Sequence, residues 1–319
     1  MASSQENVGI IGSGLIGRSW AMLFAAAGYR VTVYDIEIRQ LENAVSDIKM
    51  QLGDLERQGL LRGTLSADQQ FQNIRTTTNF ADAVKDVMYI QECVPERLDL
   101  KASVYAQADS LMSDRCILAS SASALLPSKL AAGITHRNRF IVAHPTNPPF
   151  YAPLVELIPS PWADPDVVPT TNAIMEKLGQ VPVVLKKEIE GFVLNRIQYS
   201  IMREAWGLIK DGVIDVDGVD KVMSAGLGRR YAFMGPFETA YLNADGMYVY
   251  AERYAAMIEG VMNTLKPTST FGGPVLDQIQ QELEARIPLD DLQKRRQWRD
   301  KRLAALSQLN KRLDGEDDA

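Results

Sequence analysis

The first forty residues constrain this chain more than any other stretch. An apolar run, Val8 to Ile11, stops at Gly12-Ser13-Gly14-Leu15-Ile16-Gly17, after which Ser19, Trp20, Ala21, Leu23, Phe24 and Ala25 continue with helical spacing. Gly28 closes that helix, and Val31-Thr32-Val33-Tyr34 reads as a second strand ending in Asp35, eighteen residues after the last loop glycine. Strand, glycine turn, helix and strand make a βαβ unit of the dinucleotide-binding type. Each glycine has a mechanical task. Gly12 permits the sharp turn, Gly14 lets the backbone approach a pyrophosphate, and Gly17 lets the helix pack closely on the strand. Free amides at the helix start then face the phosphates. Asp35 can accept hydrogen bonds from both ribose hydroxyls of an adenosine and repels a 2′-phosphate, so NAD is expected rather than NADP. Arg39 reads as a solvated helix residue. A glycine turn alone also occurs in unrelated α/β proteins; here the strand, the helix and the acid stand at the right distances around it.

The pattern then repeats. Gln40 to Gly59 carries a helical stripe at Leu41, Val45, Ile48, Leu52 and Leu55, which reads as a long surface helix. Strand candidates follow at Ile74 to Thr77, Val87 to Val94, Cys116 to Ala119, Phe140 to Ala143 and Val181 to Leu185. Helical patterns occupy Phe80 to Lys85, Leu98 to Met112 and Pro165 to Leu178. This alternation predicts an α/β domain of Rossmann type, a mostly parallel sheet covered on both faces. Ligands of such sheets sit beyond the carboxyl ends of the strands. Glu92 and Glu96, then Ser120, Ser121 and Ser123, then His144 and Asn147 follow three successive strands and are expected to meet in one crevice, although each alone is also an ordinary turn or cap residue.

Composition narrows the chemistry. The chain has 319 residues, about right for two domains, and only two histidines, so a base titrating near neutrality has few places to reside. Cys93 and Cys116 stand 23 residues apart without a second pair and read as reduced, buried thiols; a thiol nucleophile is the lesser alternative. No metal site is expected. A net charge of −6 argues against general nucleic-acid binding, and no apolar run is long enough to span a bilayer. With no recognisable leader at the amino-terminus, a cytoplasmic location is expected.

The segment Ile141-Val-Ala-His-Pro-Thr-Asn-Pro-Pro-Phe-Tyr-Ala-Pro-Leu-Val-Glu156 is the most informative in the chain. Pro145, Pro148, Pro149 and Pro153 stiffen the loop that carries His144. Glu156 lies within the apolar strand Leu154 to Ile158, where a charge is costly without a partner. His144 is that expected partner, because a carboxylate on one imidazole nitrogen fixes the tautomer and raises the basicity of the other, as a general base for alcohol oxidation requires. His136, within Thr135-His136-Arg137-Asn138-Arg139, reads as a solvated loop residue.

Taken together, GSGLIGRSWAMLFA, VYDIE, IQECVPE, IVAHPTNPP, PLVELIP, EIEGFVLNRIQY and GLGRRYAFMGPFET resemble the 3-hydroxyacyl-CoA dehydrogenase superfamily, and within it the L-gulonate 3-dehydrogenase branch, over essentially the whole chain. The resemblance implies a His144–Glu156 pair with Ser123, Asn147 and Asn195 around the substrate. On the cofactor side it implies Leu15 and Ile16 in the loop, Asp35 on the adenosine ribose, and Glu96 and Lys101 near the rest of the dinucleotide. Fatty-acid members carry lysines for the CoA phosphates where Gln51 to Gln72 here holds only Arg57 and Arg62, which argues against CoA. Arg230 of Gly228-Arg229-Arg230-Tyr231 is expected to hold a sugar-acid carboxylate, although Arg229 and Arg230 also read as helix-end cations.

Beyond residue 190 the strand signals stop. Gly191 to Lys210 carries an apolar stripe wide enough to predict burial on most of its circumference. Val216 to Ala225, Asp245 to Leu265, Val275 to Ile287 and Leu289 to Leu313 are further helical patterns, and Gly315 to Ala319 is expected to fray. The expected organisation is an NAD-binding domain over 1–187 and an all-helical substrate and dimerisation domain over 188–319. The resemblance implies a homodimer. The expected activity is NAD-dependent oxidation of the 3-hydroxyl of a small hydroxy acid, best L-gulonate to 3-dehydro-L-gulonate, with His144 as base. An acyl-CoA substrate and an abundant structural protein are the alternatives.

Overall fold

The strands are short and apolar at nearly every position, the pattern of a sheet with both faces covered. In the computed structural model, which describes residues 6–265 and 271–317, eight of them form one sheet. They are β1 (Asn7–Ile11), β2 (Arg30–Tyr34), β3 (Ile74–Thr77), β4 (Tyr89–Glu92), β5 (Ile117–Ser120), β6 (Phe140–Pro145), β7 (Leu154–Pro159) and β8 (Val181–Val184), in the order 3-2-1-4-5-6-7-8. Every neighbouring pair is parallel except β6–β7. The chain doubles back between β6 and β7 through the proline-rich loop, too short for a crossover helix, so this one pair must be antiparallel.

Helices α1 (Leu15–Ala26), α2 (Ile38–Arg57), α3 (Ala67–Gln72), α4 (Phe80–Val84), α5 (Leu98–Asp109), α6 (Pro127–Leu130) and α7 (Val167–Lys177) cover the sheet. Side chains of α1, α2, α3 and α7 join one core cluster, built around Trp20, Phe24, Tyr89 and Leu157. Those of α4, α5 and α6 join the other, around Tyr105, Leu118 and Phe140. Fully burying one such side chain contributes about 1.5–3 kcal/mol. Helix α2 buries Leu41, Ile48, Leu52 and Leu55 as its stripe foretold, but Ala44 is buried with them while the expected Val45 is half-buried. Helix α3 was not foreseen. It starts at a capping box in which Ser66 Oγ accepts from the Gln69 amide and the Gln69 side chain accepts from the Ser66 amide.

The chain divides into two compact units, Met1–Arg196 and Ile197–Ala319. Helix α8 (Leu194–Lys210) begins in the last residues of the first. The described part of the second unit is helical: α9 (Val216–Lys221), a π-helical stretch Val222–Leu227, α10 (Gly228–Tyr231), α11 (Pro236–Leu242), α12 (Met247–Met262), α13 (Pro274–Arg286) and α14 (Leu292–Asp317).

Two expectations need correction here. Helix α8 is not buried around its circumference: Ile197 is 56% exposed and Tyr199 51%, and Trp206 and Ile209 are its buried large apolar residues. An apolar stripe reports what a helix can cover, and one chain alone does not cover this one. The expected frayed tail is helical as far as Asp317, with 318–319 outside the described residues.

Candidate active site

The strand register sets the crevice. Ile11 pairs with Glu92, Glu92 with Ser120 and Ser120 with Val142, so the carboxyl ends of β1, β4, β5 and β6 lie side by side. The loops that begin at Gly12, Cys93 and Ser121 leave from that edge, and His144, expected on a loop, stands there near the end of β6 itself. The order reverses between β2-β1 and β4-β5, the switch point where a doubly wound sheet binds its ligand.

At the switch point the glycine loop fits a dinucleotide. Gly12 has φ 101°, and a Cβ there would press within 3.0 Å of the Cys93 carbonyl oxygen. A Cβ on Gly17 would collide with the Gly12 carbonyl oxygen, which fixes α1 close against the turn. Around Gly14 nothing lies within 4 Å, so backbone there is open to approach. Gly14 caps α1 without a side-chain hydrogen bond, and the first turn, with Leu15 and Ile16, holds no acid, so its amides face no competing protein anion. Asp35 stands just past β2. Its Oδ2 accepts from the Ser13 amide at 2.9 Å and the Ser13 hydroxyl at 2.7 Å, while Oδ1 accepts from the Glu37 amide at 3.2 Å.

Beyond β4 lies a buried ionic cluster that the sequence reading did not foresee. Glu92 is 0% exposed and Lys101 1%. The Lys101 ammonium donates to both Glu92 oxygens at 2.9 and 3.1 Å and to the Val94 carbonyl at 3.2 Å. The hydroxyls of Tyr105 and Ser120 donate to the same carboxylate. Lys101 is thus enclosed below the crevice, and it reaches the surface through Glu96, whose Oε2 lies 3.5 Å from its Nζ. The other oxygen of Glu96 accepts from the Ser123 and Ala124 amides at 2.8 and 3.2 Å. Glu96, expected near the cofactor, and Ser123, expected near the substrate, are therefore directly bonded.

His144 and Glu156 are cross-strand partners in the antiparallel β6–β7 pair, and directly opposed residues share a face. His144 Nδ1 lies 2.8 Å from Glu156 Oε2, with both side chains almost wholly buried. Glu156 Oε1 accepts from the amides of Val193 and Leu194 at 2.8 and 2.9 Å. Burial pushes the Glu156 carboxyl up, but the bonds from His144 and from these two amides outweigh it and hold its pKa below the ordinary carboxylate value. Gly191 and Phe192, with φ of 75° and 50°, form the turn that delivers the amides. A positive φ is uncommon for a bulky side chain. Phe192 is fully buried, its ring 5.4 Å from the His144 ring, a neighbour that sequence reasoning missed. Three places after Phe192, Asn195 donates from Nδ2 to the Ser123 carbonyl at 2.8 Å. Asn147 is exposed at the tip of the loop, before a cis bond to Pro148.

The bonds thus form two sets, His144 with Glu156, and Asn195 and Glu96 with the Ser123 backbone, which adjoin in sequence where the Leu194 amide meets Glu156 next to Asn195. Arg229 and Arg230 lie exposed on α10 in the helical unit. The two cations of Gln51 to Gln72 are both engaged: Arg57 pairs with Asp54, and Arg62 donates to Gln180 at 2.7 Å beside the Phe150 ring. Burial lowers the Arg62 pKa to about 10.

The other histidine departs from expectation. His136 Nδ1 lies 2.7 Å from Asp109 and Nε2 3.1 Å from Asp114, and Asp109 also accepts from the Thr135 and His136 amides. It is a pinned structural residue, because a carboxylate at the end of α5 needs the donors that this polar loop supplies. Both cysteines are free, and burial pushes each thiol up to about 12, which favours the inert thiol over a nucleophile. Among the described residues no helix is long and apolar enough to cross a membrane.

Known proteins share the sequence pattern and the fold. Residues 7–189 match the family model of the 3-hydroxyacyl-CoA dehydrogenase NAD binding domain, and residues 191–272 that of the C-terminal domain. The chain is 49% identical to lambda-crystallin of Oryctolagus cuniculus over 306 residues, 95% of this chain and 96% of that one. It is 35% identical to L-carnitine dehydrogenase of Oceanobacillus iheyensis over 237 residues, 74% of this chain and 76% of the other. Among solved structures, an NAD+-dependent 5-formyl-3-hydroxy-2-methylpyridine 4-carboxylic acid 5-dehydrogenase superposes with a TM-score of 0.82 at 28% identity, covering 96% of this chain and 98% of that one.

Proposed function

Because the chain belongs to the 3-hydroxyacyl-CoA dehydrogenase family and is an NAD-dependent dehydrogenase acting on a CH–OH group, we propose that it oxidises the 3-hydroxyl of a small hydroxy acid, with L-gulonate the substrate and 3-dehydro-L-gulonate the product. The observation that carries this reading is the buried His144–Glu156 pair at the mouth of the dinucleotide crevice.

Gly12, Gly14, Leu15, Ile16 and Gly17 hold the pyrophosphate, Asp35 the adenosine ribose, and Glu96, backed by Lys101, the remainder of the dinucleotide. When bound, NAD supplies the acceptor for the hydride that leaves C3. His144 takes the hydroxyl proton through Nε2, since Nδ1 is committed to Glu156. Glu156 fixes the tautomer that leaves Nε2 unprotonated and stabilises the imidazolium once the proton has moved. Asn195 spends one N–H on the Ser123 carbonyl and keeps a second for the reacting oxygen, beside the exposed Ser123 side chain. Asn147 binds the rest of the acid, and a carboxylate on it calls for a guanidinium, the chemistry that Arg230 offers.

A free acid is favoured over a CoA ester because Gln51 to Gln72 offers only two cations, Arg57, exposed and paired with Asp54, and Arg62, turned inward to Gln180. The deciding experiment compares kcat/KM for L-gulonate with NAD against acetoacetyl-CoA with NADH. A higher value for the CoA ester ends the proposal. We also propose a homodimer, in the cytoplasm. Its support is the apolar surface of the helical unit, where Phe237 is 79% exposed, Tyr248 95% and Met257 61%. Light scattering on the purified chain would read a monomer if that is wrong.

A further inference from the structure

The residue between the first two loop glycines, Ser13, is 0% exposed and held at three points. Its amide and its hydroxyl both donate to Asp35 Oδ2, at 2.9 and 2.7 Å. Its carbonyl accepts from Arg18 Nε at 2.8 Å, and the Arg18 guanidinium pairs with Asp47 of α2 at 3.1 Å. The glycine turn, the end of β2 and the middle of α2 are thereby tied together through this one residue, its side chain supplying the hydroxyl bond to Asp35 and its backbone the others.

The turn itself does not require a serine. A residue without a side chain would keep the amide bond to Asp35 and lose only the hydroxyl bond. What the hydroxyl adds is a second donor on the same carboxylate oxygen. An ionised carboxylate has about four acceptor positions. Two on Oδ2 are filled by Ser13 and one on Oδ1 by the Glu37 amide, so the acceptor left open is on Oδ1. The Asp35 side chain is therefore set in one orientation before any ligand arrives, and its charge cannot swing aside to admit a second anion.

We propose that Ser13 is a positioning residue for cofactor choice: its buried hydroxyl locks Asp35 so that the carboxylate holds an unphosphorylated ribose and excludes a 2′-phosphate. This rests on the reading of Asp35 as the ribose acceptor. Ser13 acts through Asp35 and supplies no further contact, so the two residues must behave as one unit toward the cofactor.

The test is calorimetric titration of NAD and NADP into the substrate-free protein for wild type, Ser13→Ala, Ser13→Gly, Asp35→Asn and the Ser13→Ala/Asp35→Asn double variant. Both Ser13 variants keep the amide donor, and a melting curve for each verifies the fold. In Ser13→Ala and Ser13→Gly the Kd for NAD is expected to rise roughly threefold to tenfold, the loss of part of one charge-assisted hydrogen bond. The Kd for NADP is expected to stay level or fall, so the preference for NAD shrinks about tenfold. In the Asp35→Asn background, Ser13→Ala should change neither constant by more than about twofold. Unchanged or tighter NAD binding in Ser13→Ala, with Asp35→Asn still weakened, overturns the proposal and leaves the Asp35 reading intact. Multiplying effects in the double variant also overturn it, since Ser13 would then act apart from Asp35. No effect from Asp35→Asn alone removes the Asp35 reading and the proposal with it.

Discussion

Glu156 serves His144 with only one of its two oxygens. Oε2 meets His144 Nδ1 at 2.8 Å across the β6–β7 pair, while Oε1 collects the first amides of α8, from Val193 and Leu194. One carboxylate thus orients the His144 ring and caps the helix that begins at Leu194.

The double duty predicts a double loss in Glu156→Gln. Turnover should fall about tenfold to a hundredfold, the worth of one hydrogen bond to a charged group. Stability should fall by about 0.5–2 kcal/mol, the worth of a cap. Because the folded-state pKa lies below the reference value of 4.5, the contribution of Glu156 is present above about pH 4.5 and disappears as pH falls through the folded value. The melting-temperature gap between wild type and variant should therefore narrow in acid. A gap independent of pH would contradict this.

Replacing His144, the proposed base, should separate chemistry from binding. His144→Ala is expected to lower kcat roughly 10²–10⁴-fold while the Kd for NAD, read by fluorescence titration, changes less than about twofold. Full turnover would remove His144 from the proposed role.

The glycines should fail in different ways. Gly14→Ala places a methyl where nothing lies within 4 Å, so the melting temperature should hold within the shift caused by about 1 kcal/mol. NAD binding should weaken at least about tenfold, because the methyl occupies the approach to the phosphates. Gly17→Ala drives a methyl into the Gly12 carbonyl and should destabilise by about 1–3 kcal/mol or more. Equal melting curves for the two variants would refute the distinction.

His136 predicts a pH dependence of the opposite sense. Burial lowers its pKa, but the bonds and charges of Asp109 and Asp114 outweigh this and raise it above 6.5. Its stabilisation is therefore complete below about pH 6.5 and is lost as pH rises through the folded value. The melting-temperature gap between wild type and His136→Ala should be wide in mild acid and narrow in alkali. A gap that widens with pH would show His136 neutral in the folded chain.

Much of this was legible in sequence because it depends on local rules. The loop glycines announce their turn by type and spacing, and an acid in an apolar strand announces a missing partner. The capping box of α3 was equally legible in Ser66 and Gln69 and was passed over. Other features had no local signal. Whether Lys101 faces solvent or Glu92 depends on β4 and α5 being folded together. The second oxygen of Glu156 is claimed by amides 37 and 38 residues away, through a turn in which Phe192 takes a glycine-like φ. His136 misled because a polar stretch looks the same whether its donors meet water or a buried carboxylate.

The reversal of direction between β6 and β7 also affects how the site comes into being. A wholly parallel sheet would bring base and acid together only after a long crossover, whereas here they are 12 residues apart on two arms of a hairpin. The Ser123–Asn195 bond spans 72 residues and must wait for most of the sheet. Loop closure is the toll on such contacts and grows with separation. The His144–Glu156 pair is thus a short-range product of folding, and the Ser123–Asn195 pair a long-range one, so damage to distant parts of the sheet should disperse the second before the first.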